Sequence, residues 1–330
     1  MLFQPAIIAL LVGSVLTGVM LLYSCYYGVV ILRRWEIKSG SELQLNLERR
    51  TYLISTLLTY AFGFQLLSLF LFIYTADRLN TLFVGAMCAA GTLYVNAWGY
   101  PAVILKIVNF LLAGLWLIVN YADNKAYDYP LIKKKYFFLL LITPIVLAEA
   151  VVQAGYFLGL KPDIITSCCG TLFTSESSGI AAEIITLPRG VVEAAFYCAM
   201  AFAFVTGIFF CLKGRGASLF SLGSAAAFLL SAVAFLSFIC LYIYELPTHH
   251  CPFCILQREY NFVGYPIYAA FLGGGISGMG VGVLRVFGGA KSLEEILPGV
   301  QRRLCVISLV FYALFMVIVS YQMIFSNLVM

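Results

Sequence analysis

The chain has 330 residues, 62% of them hydrophobic and 11% charged, with a mean hydropathy of +0.98. That leaves too little polar surface to cover a water-soluble fold of this size, so a soluble enzyme or soluble nucleic-acid-binding domain is excluded and the bilayer is the expected solvent. The net charge of +5 is informative only through where the charges lie.

A hydrocarbon core roughly 30 Å thick needs about 20 apolar residues per helix. Eight such runs follow one another, at about 5–32, 51–76, 102–122, 136–158, 190–212, 218–244, 254–284 and 304–326. They are continuous rather than alternating, which points away from a barrel and to an all-α polytopic transmembrane helical bundle of about eight spans. The first run lacks a basic start and a clear small-residue cleavage site, and Arg33 and Arg34 follow it, so it reads as a retained span rather than a signal peptide.

Basic residues cluster in alternate loops. Arg33, Arg34, Lys38, Arg49 and Arg50 lie in the first loop, Lys125, Lys133, Lys134 and Lys135 in the third, Lys213 and Arg215 in the fifth, and Arg285, Lys291, Arg302 and Arg303 in the seventh. By the positive-inside rule that side is cytoplasmic, which puts both termini and the second, fourth and sixth loops on the non-cytoplasmic side. An integral protein of a bacterial or archaeal cytoplasmic (inner) membrane is expected. No repeat or long linker divides the chain, so 1–330 reads as a single membrane domain.

The second loop, 77–100, is semi-apolar and carries Tyr94, Trp98 and Tyr100, which suits a short interfacial or re-entrant helix. Lys106 follows near the outer end of the third span and is expected to snorkel. Glu149 and Gln153 stand four residues apart in the fourth span, and Glu193 opens the fifth. Intramembrane ionisable groups are functional candidates by default, and Glu149 is read either as a proton acceptor or as the partner of Arg258.

The fourth loop, 159–190, holds the adjacent Cys168 and Cys169, and its second half is apolar enough to lie on the membrane surface. The short sixth loop leads directly into Cys251-Pro252-Phe253-Cys254. With the seventh span beginning there, Pro252 suits a first helical turn, and the helix dipole would lower the pKa of the first thiol. Outside the cytoplasm disulfides persist, so a redox pair fits this face, and metal ligation remains open. Arg258, four residues after Cys254, would project from the same helical face just below the interface, either snorkelling or meeting a polar partner such as a quinone oxygen. Cys25, Cys88, Cys198, Cys211, Cys240 and Cys305 read as small hydrophobes. The only histidines, His249 and His250, are adjacent, which argues against haem.

The run Cys251-Pro252-Phe253-Cys254-Ile255-Leu256-Gln257-Arg258 resembles the signature of DsbB-type disulfide-generating membrane proteins. The order of the cysteines along the chain, loop pair before C-x-x-C, is similar instead to vitamin K epoxide reductase homologues. The resemblance implies a four-helix thiol and quinone redox unit over about 136–284, N-terminal helices over 1–130 of no assigned role, and a C-terminal loop and helix over 285–330. It implies Cys254 as the quinone-proximal thiol, Cys251 as its exchange partner, Cys168 and Cys169 as the outer pair, and Arg258 at ubiquinone or menaquinone; Gln257 beside Arg258 and the intramembrane Glu149 are the further candidates for that cofactor. The implied partner is a periplasmic or extracytoplasmic thioredoxin-fold dithiol protein, alongside membrane lipid and quinone, with room for other membrane subunits, no nucleic acid and no bound metal.

This chain departs from the pattern because its loop cysteines are neighbours, and a disulfide between adjacent residues is strained and readily reduced. Two other readings stay open. Adjacent thiols and the set His249, His250, Cys251 and Cys254 suit a soft-metal transporter or binding protein for copper(I), mercury(II) or zinc. The chain also suits a non-catalytic membrane subunit of an electron-transfer complex.

Overall fold

The computed structural model describes residues 3–37, 39–161, 164–166 and 180–328. Eight of its helices are long and apolar enough to cross a membrane. They are α1 Pro5–Arg34, α2 Glu42–Arg78, α3 Gly99–Asp123, α4 Ile132–Leu158, α5 Arg189–Lys213, α6 Ala217–Tyr244, α7 Gly264–Phe287 and α8 Ile296–Phe325. No strand occurs among the described residues, and the chain is an all-α polytopic membrane bundle. Between α2 and α3 lie a single 3-10 turn, Asn80–Leu82, and the short buried helix Ala89–Leu93.

One expected span is corrected. Helix α7 starts at Gly264 rather than at residue 254, so Cys251 and Cys254 do not open a transmembrane helix. The polar run Gln257-Arg258-Glu259-Tyr260-Asn261 has no place inside hydrocarbon. It forms a cap instead, with single 3-10 turns at Cys254–Leu256 and Arg258–Tyr260. Asn261 and Phe262 then take left-handed backbone angles before the helix can begin.

The chain divides into two compact units. Unit 1 comprises Met1–Thr75, Asn96–Leu160 and Val283–Gly299; unit 2 comprises Ala76–Val95, Lys161–Gly282 and Val300–Met330. In unit 1 the core of α1 to α4 gathers Phe62, Trp116, Tyr136, Leu139 and Ile142, with the Phe62 and Trp116 ring centroids 4.9 Å apart. On either side of this apolar plug sits a buried ion pair. Lys135 Nζ is 2.6 Å from Asp123 Oδ2 and also donates to Ser55 and Asn120.

Lys106 Nζ lies 2.7 Å from Glu149 Oε1, and Glu149 takes further hydrogen bonds from Gln65 and Asn109. This overturns two expectations. Lys106 does not snorkel, because it is 1% exposed, and Glu149 pairs with it rather than with Arg258. A lysine left alone at that depth would be far costlier than one neutralised by a carboxylate. Gln153, one turn on from Glu149, donates to Ser14 and to the Leu10 carbonyl of α1.

In unit 2, α7 packs closely on α6 and α8 through Gly273, Gly274, Gly275 and Gly278. A methyl group added at Gly273 would lie 2.9 Å from the Phe311 ring, and one at Gly274 would lie 2.8 Å from Tyr312. Small residues of this kind let helix backbones approach where lipid offers no hydrophobic drive to association. Tyr312, brought close in this way, shares hydrogen bonds with Ser224 of α6. A π turn, Phe235–Ile239, interrupts α6 just before its last turn, Cys240–Tyr244.

Candidate functional site

The cap over residues 246–263, between α6 and α7 in unit 2, carries the Cys251-Pro252-Phe253-Cys254 motif. Glu245 ends α6 in the left-handed region, which turns the chain sharply into the cap. Two tyrosines from the flanking helices hold its backbone. Tyr244 Oη donates to the Cys251 carbonyl at 2.5 Å, and Tyr268 Oη donates to the Pro252 carbonyl at 2.5 Å. His250 Nδ1 donates to the Leu236 carbonyl at 2.6 Å, an acceptor inside the π turn. Burial lowers the His250 pKa, opposed by that carbonyl and assisted by neighbouring His249.

A third thiol, absent from the expected site, meets the motif. Cys88, extended and at the N-terminal edge of helix Ala89–Leu93, places its Sγ 3.8 Å from Cys251 Sγ. The sulfurs of Cys88, Cys251 and Cys254 all lie within 4.8 Å of one another, and the three residues are 0%, 1% and 5% exposed. His249 Nε2 lies 3.4 Å from Cys254 Sγ, with its ring edge-on to Tyr244 at 4.5 Å. None of the eight described cysteines is joined in a disulfide.

Asp77, at the end of α2, ties the two cysteine segments together. Its Oδ1 accepts the Ala89 N–H at 3.2 Å and the Gln257 amide at 3.1 Å, while the same Gln257 amide donates to the Met87 carbonyl at 2.8 Å. One carboxylate and one amide thus fix Cys88 against the cap. The far side of the Cys88 segment is held by Thr166, whose N–H donates to the Val84 carbonyl and whose hydroxyl donates to the Gly91 carbonyl. Gly85, with φ +91°, would bring any side chain onto the Thr166 carbonyl.

The other expected site residues are placed as follows. Cys168 and Cys169 lie outside the described residues. Gln257 is committed to Asp77 and the Met87 carbonyl. Arg258 is exposed, and the extended Gln257 backbone before it removes the helical relation to Cys254. Glu149 belongs to unit 1 and its ion pair with Lys106. Glu149 makes its contacts within unit 1 and Gln257 makes its own within unit 2, and the quinone rests on the resemblance alone. With Cys254 in a 3-10 turn rather than at the head of a span, the helix-dipole argument for an activated thiol also lapses.

Cys88 and Asp77 were missed because they carry no local motif. The available signal was topological: with eight spans, the second and sixth loops share a side, and Cys88 is the cysteine of the second loop. Chemically, three buried thiols and a half-buried imidazole can exchange disulfides or ligate a soft cation. Comparisons with protein-family models, with curated proteins and with solved structures find no match to this chain.

Proposed function

We propose that this membrane protein binds a soft metal cation such as copper(I), zinc(II) or mercury(II), through Cys88, Cys251 and Cys254 with His249 as a fourth donor. The observation that carries this reading is the convergence of a distant third thiol on the C-x-x-C pair. A tetrahedral centre with metal–sulfur bonds of about 2.3 Å separates its sulfurs by about 3.8 Å, and Cys88 and Cys251 stand 3.8 Å apart. Three thiolates with an imidazole are a soft donor set, which selects such cations over calcium or magnesium. The hydrogen bonds from Tyr244, Tyr268 and Gln257 hold the ligand backbone in place, as outer partners do in metal centres. Under the positive-inside reading of the loops, the site opens on the non-cytoplasmic face.

Full-length protein purified under reducing conditions should bind one zinc or cobalt(II) per chain at this site, with the sulfur-to-cobalt charge-transfer absorption of a thiolate complex. Cys88→Ser should lower affinity by at least 100-fold. Because each thiol must lose its proton to bind, affinity should fall as pH is lowered. Binding that survives Cys88→Ser unchanged would sink the reading.

A second reading is favoured by the same Cys88–Cys251 contact. If Cys251 and Cys254 were oxidised, the Cys88 thiolate could attack Cys251, forming a Cys88–Cys251 disulfide and releasing Cys254 as a thiolate beside His249. This is a thiol–disulfide relay in which an external dithiol protein would supply two electrons and a membrane quinone would take them, re-forming the Cys251–Cys254 disulfide, as the family resemblance implies. Trapping a Cys88–Cys251 disulfide in Cys254→Ser protein after mild oxidation, with no metal bound by the reduced wild type, would favour it.

A further inference from the structure

Two more thiols meet at the far end of unit 2. Cys305 Sγ of α8 donates to the Gly207 carbonyl of α5 at 3.4 Å, the carbonyl one helical turn before Cys211. Both pack in one apolar cluster with Phe210, Phe220 and Val281.

Two helices independently fix how far this pair stands from the three-thiol site. At the start of α5, Arg189 donates to the Tyr242 hydroxyl, two residues from the tyrosine that holds Cys251. Cys211 follows 22 residues later, roughly 33 Å along the helix. At the end of α8, Asn327 donates to Glu245 at 2.9 Å, the residue that leads into the cap. Cys305 precedes Phe325 by 20 residues, roughly 30 Å. Both estimates match the hydrocarbon thickness of about 30 Å, so the two thiol groups sit at opposite ends of the membrane-spanning part of unit 2.

We propose that Cys211 and Cys305 form a second soft-metal site, a two-thiolate site for a cation content with linear coordination, copper(I) or mercury(II), at the end of unit 2 opposite Cys88, Cys251 and Cys254. The inference extends the soft-metal reading of the first site. Each thiol gives up one proton as the cation enters. Two sulfurs in an apolar setting offer too few donors for zinc, which takes four ligands in structural sites, so the second site discriminates where the first does not. A pair of sites on the two sides of one unit is what a carrier of thiolate-bound metal requires.

The test uses the full chain in detergent, reduced, with Cys168 and Cys169 replaced by serine so that the thiols counted are those placed in the structure. Copper(I) is supplied from a chelator buffer, and zinc is titrated separately. This protein should take two copper(I) ions and one zinc ion per chain. Cys211→Ser, Cys305→Ser and the double variant should each take one copper(I) and keep the zinc, whose retention also reports an intact fold. Cys88→Ser should lose the zinc and one copper(I), keeping the other. Two copper(I) ions still bound by the Cys211→Ser and Cys305→Ser proteins would overturn the second site and leave the first standing. Loss of zinc from neither Cys88→Ser nor any other variant would instead count against the first.

Discussion

Asp77 is the residue on which the three-thiol arrangement turns, although it is not itself a sulfur ligand. Its carboxylate is the shared acceptor for the Cys88 segment and the cap, so removing it frees the two halves of the site to separate. Asp77→Ala should weaken metal binding about tenfold, the lower end of the range for partners that orient ligands, while Asp77→Asn, which keeps an acceptor oxygen, should recover most of it; competition with a chromophoric chelator measures both. Nothing local marks Asp77 or Cys88 in the sequence. The contact between Cys88 and Cys251 joins residues 163 apart, and periodicity cannot report a pairing at that range. Cys251 and Cys254 were legible because their motif is contiguous.

Among the elements, the long helices were legible throughout, since each supplies the apolar length a bilayer demands. The start of α7 was not, because apolar Ile255 and Leu256 join the polar run 257–261 to the span and mask the break. The partners of the α7 glycines lie on α6 and α8, distant in sequence, and no local pattern reports them. A methyl group at Gly278 would overlap the Ser224 hydroxyl, so Gly278→Ala should destabilise unit 2 by about 1–3 kcal/mol, the usual cost of overpacking, and a thermal unfolding curve would show a lowered midpoint. The tether at the end of α8 responds to acid. Hydrogen bonds from the Asn327 backbone and side chain hold the Glu245 carboxyl below its usual range. This contribution is fully present above the ordinary glutamate pKa and is lost as pH falls through the lower folded value. Amide exchange at Asn327, corrected for its intrinsic pH dependence, should rise in that window.

For the whole molecule, the class was legible and the division into units was not. Composition alone demands a membrane bundle, but which helices pack together depends on side chains such as Lys106 and Glu149, whose partners no loop-charge rule identifies. Truncating one member of that pair leaves a buried charge uncompensated, so Glu149→Ala should cost about 3–5 kcal/mol. Replacing both residues with apolar ones of similar volume, Lys106→Met with Glu149→Leu, should restore most of it. Retained stability in the single variant, read from aggregation on heating in detergent, would mean that the pair carries no structural weight. Since both residues belong to unit 1, metal uptake at the three-thiol site should persist in the double variant.

The π turn in α6 gives that helix one residue more than a regular α-helix would hold between its two ends, and so works as a phase keeper. Each residue of an α-helix turns the chain by about 100°. Deleting Ser237 would let regular turns span the same two ends and leave Tyr244 near its place, whereas one alanine inserted after Cys240 would rotate the residues that follow by about that angle and swing Tyr244 away from the Cys251 carbonyl. The site should then lose its metal while α6 itself remains helical, a separation that circular dichroism and zinc titration on the same sample can resolve. In this sense a one-residue irregularity in the middle of unit 2 preserves the angular register of the cap some residues away.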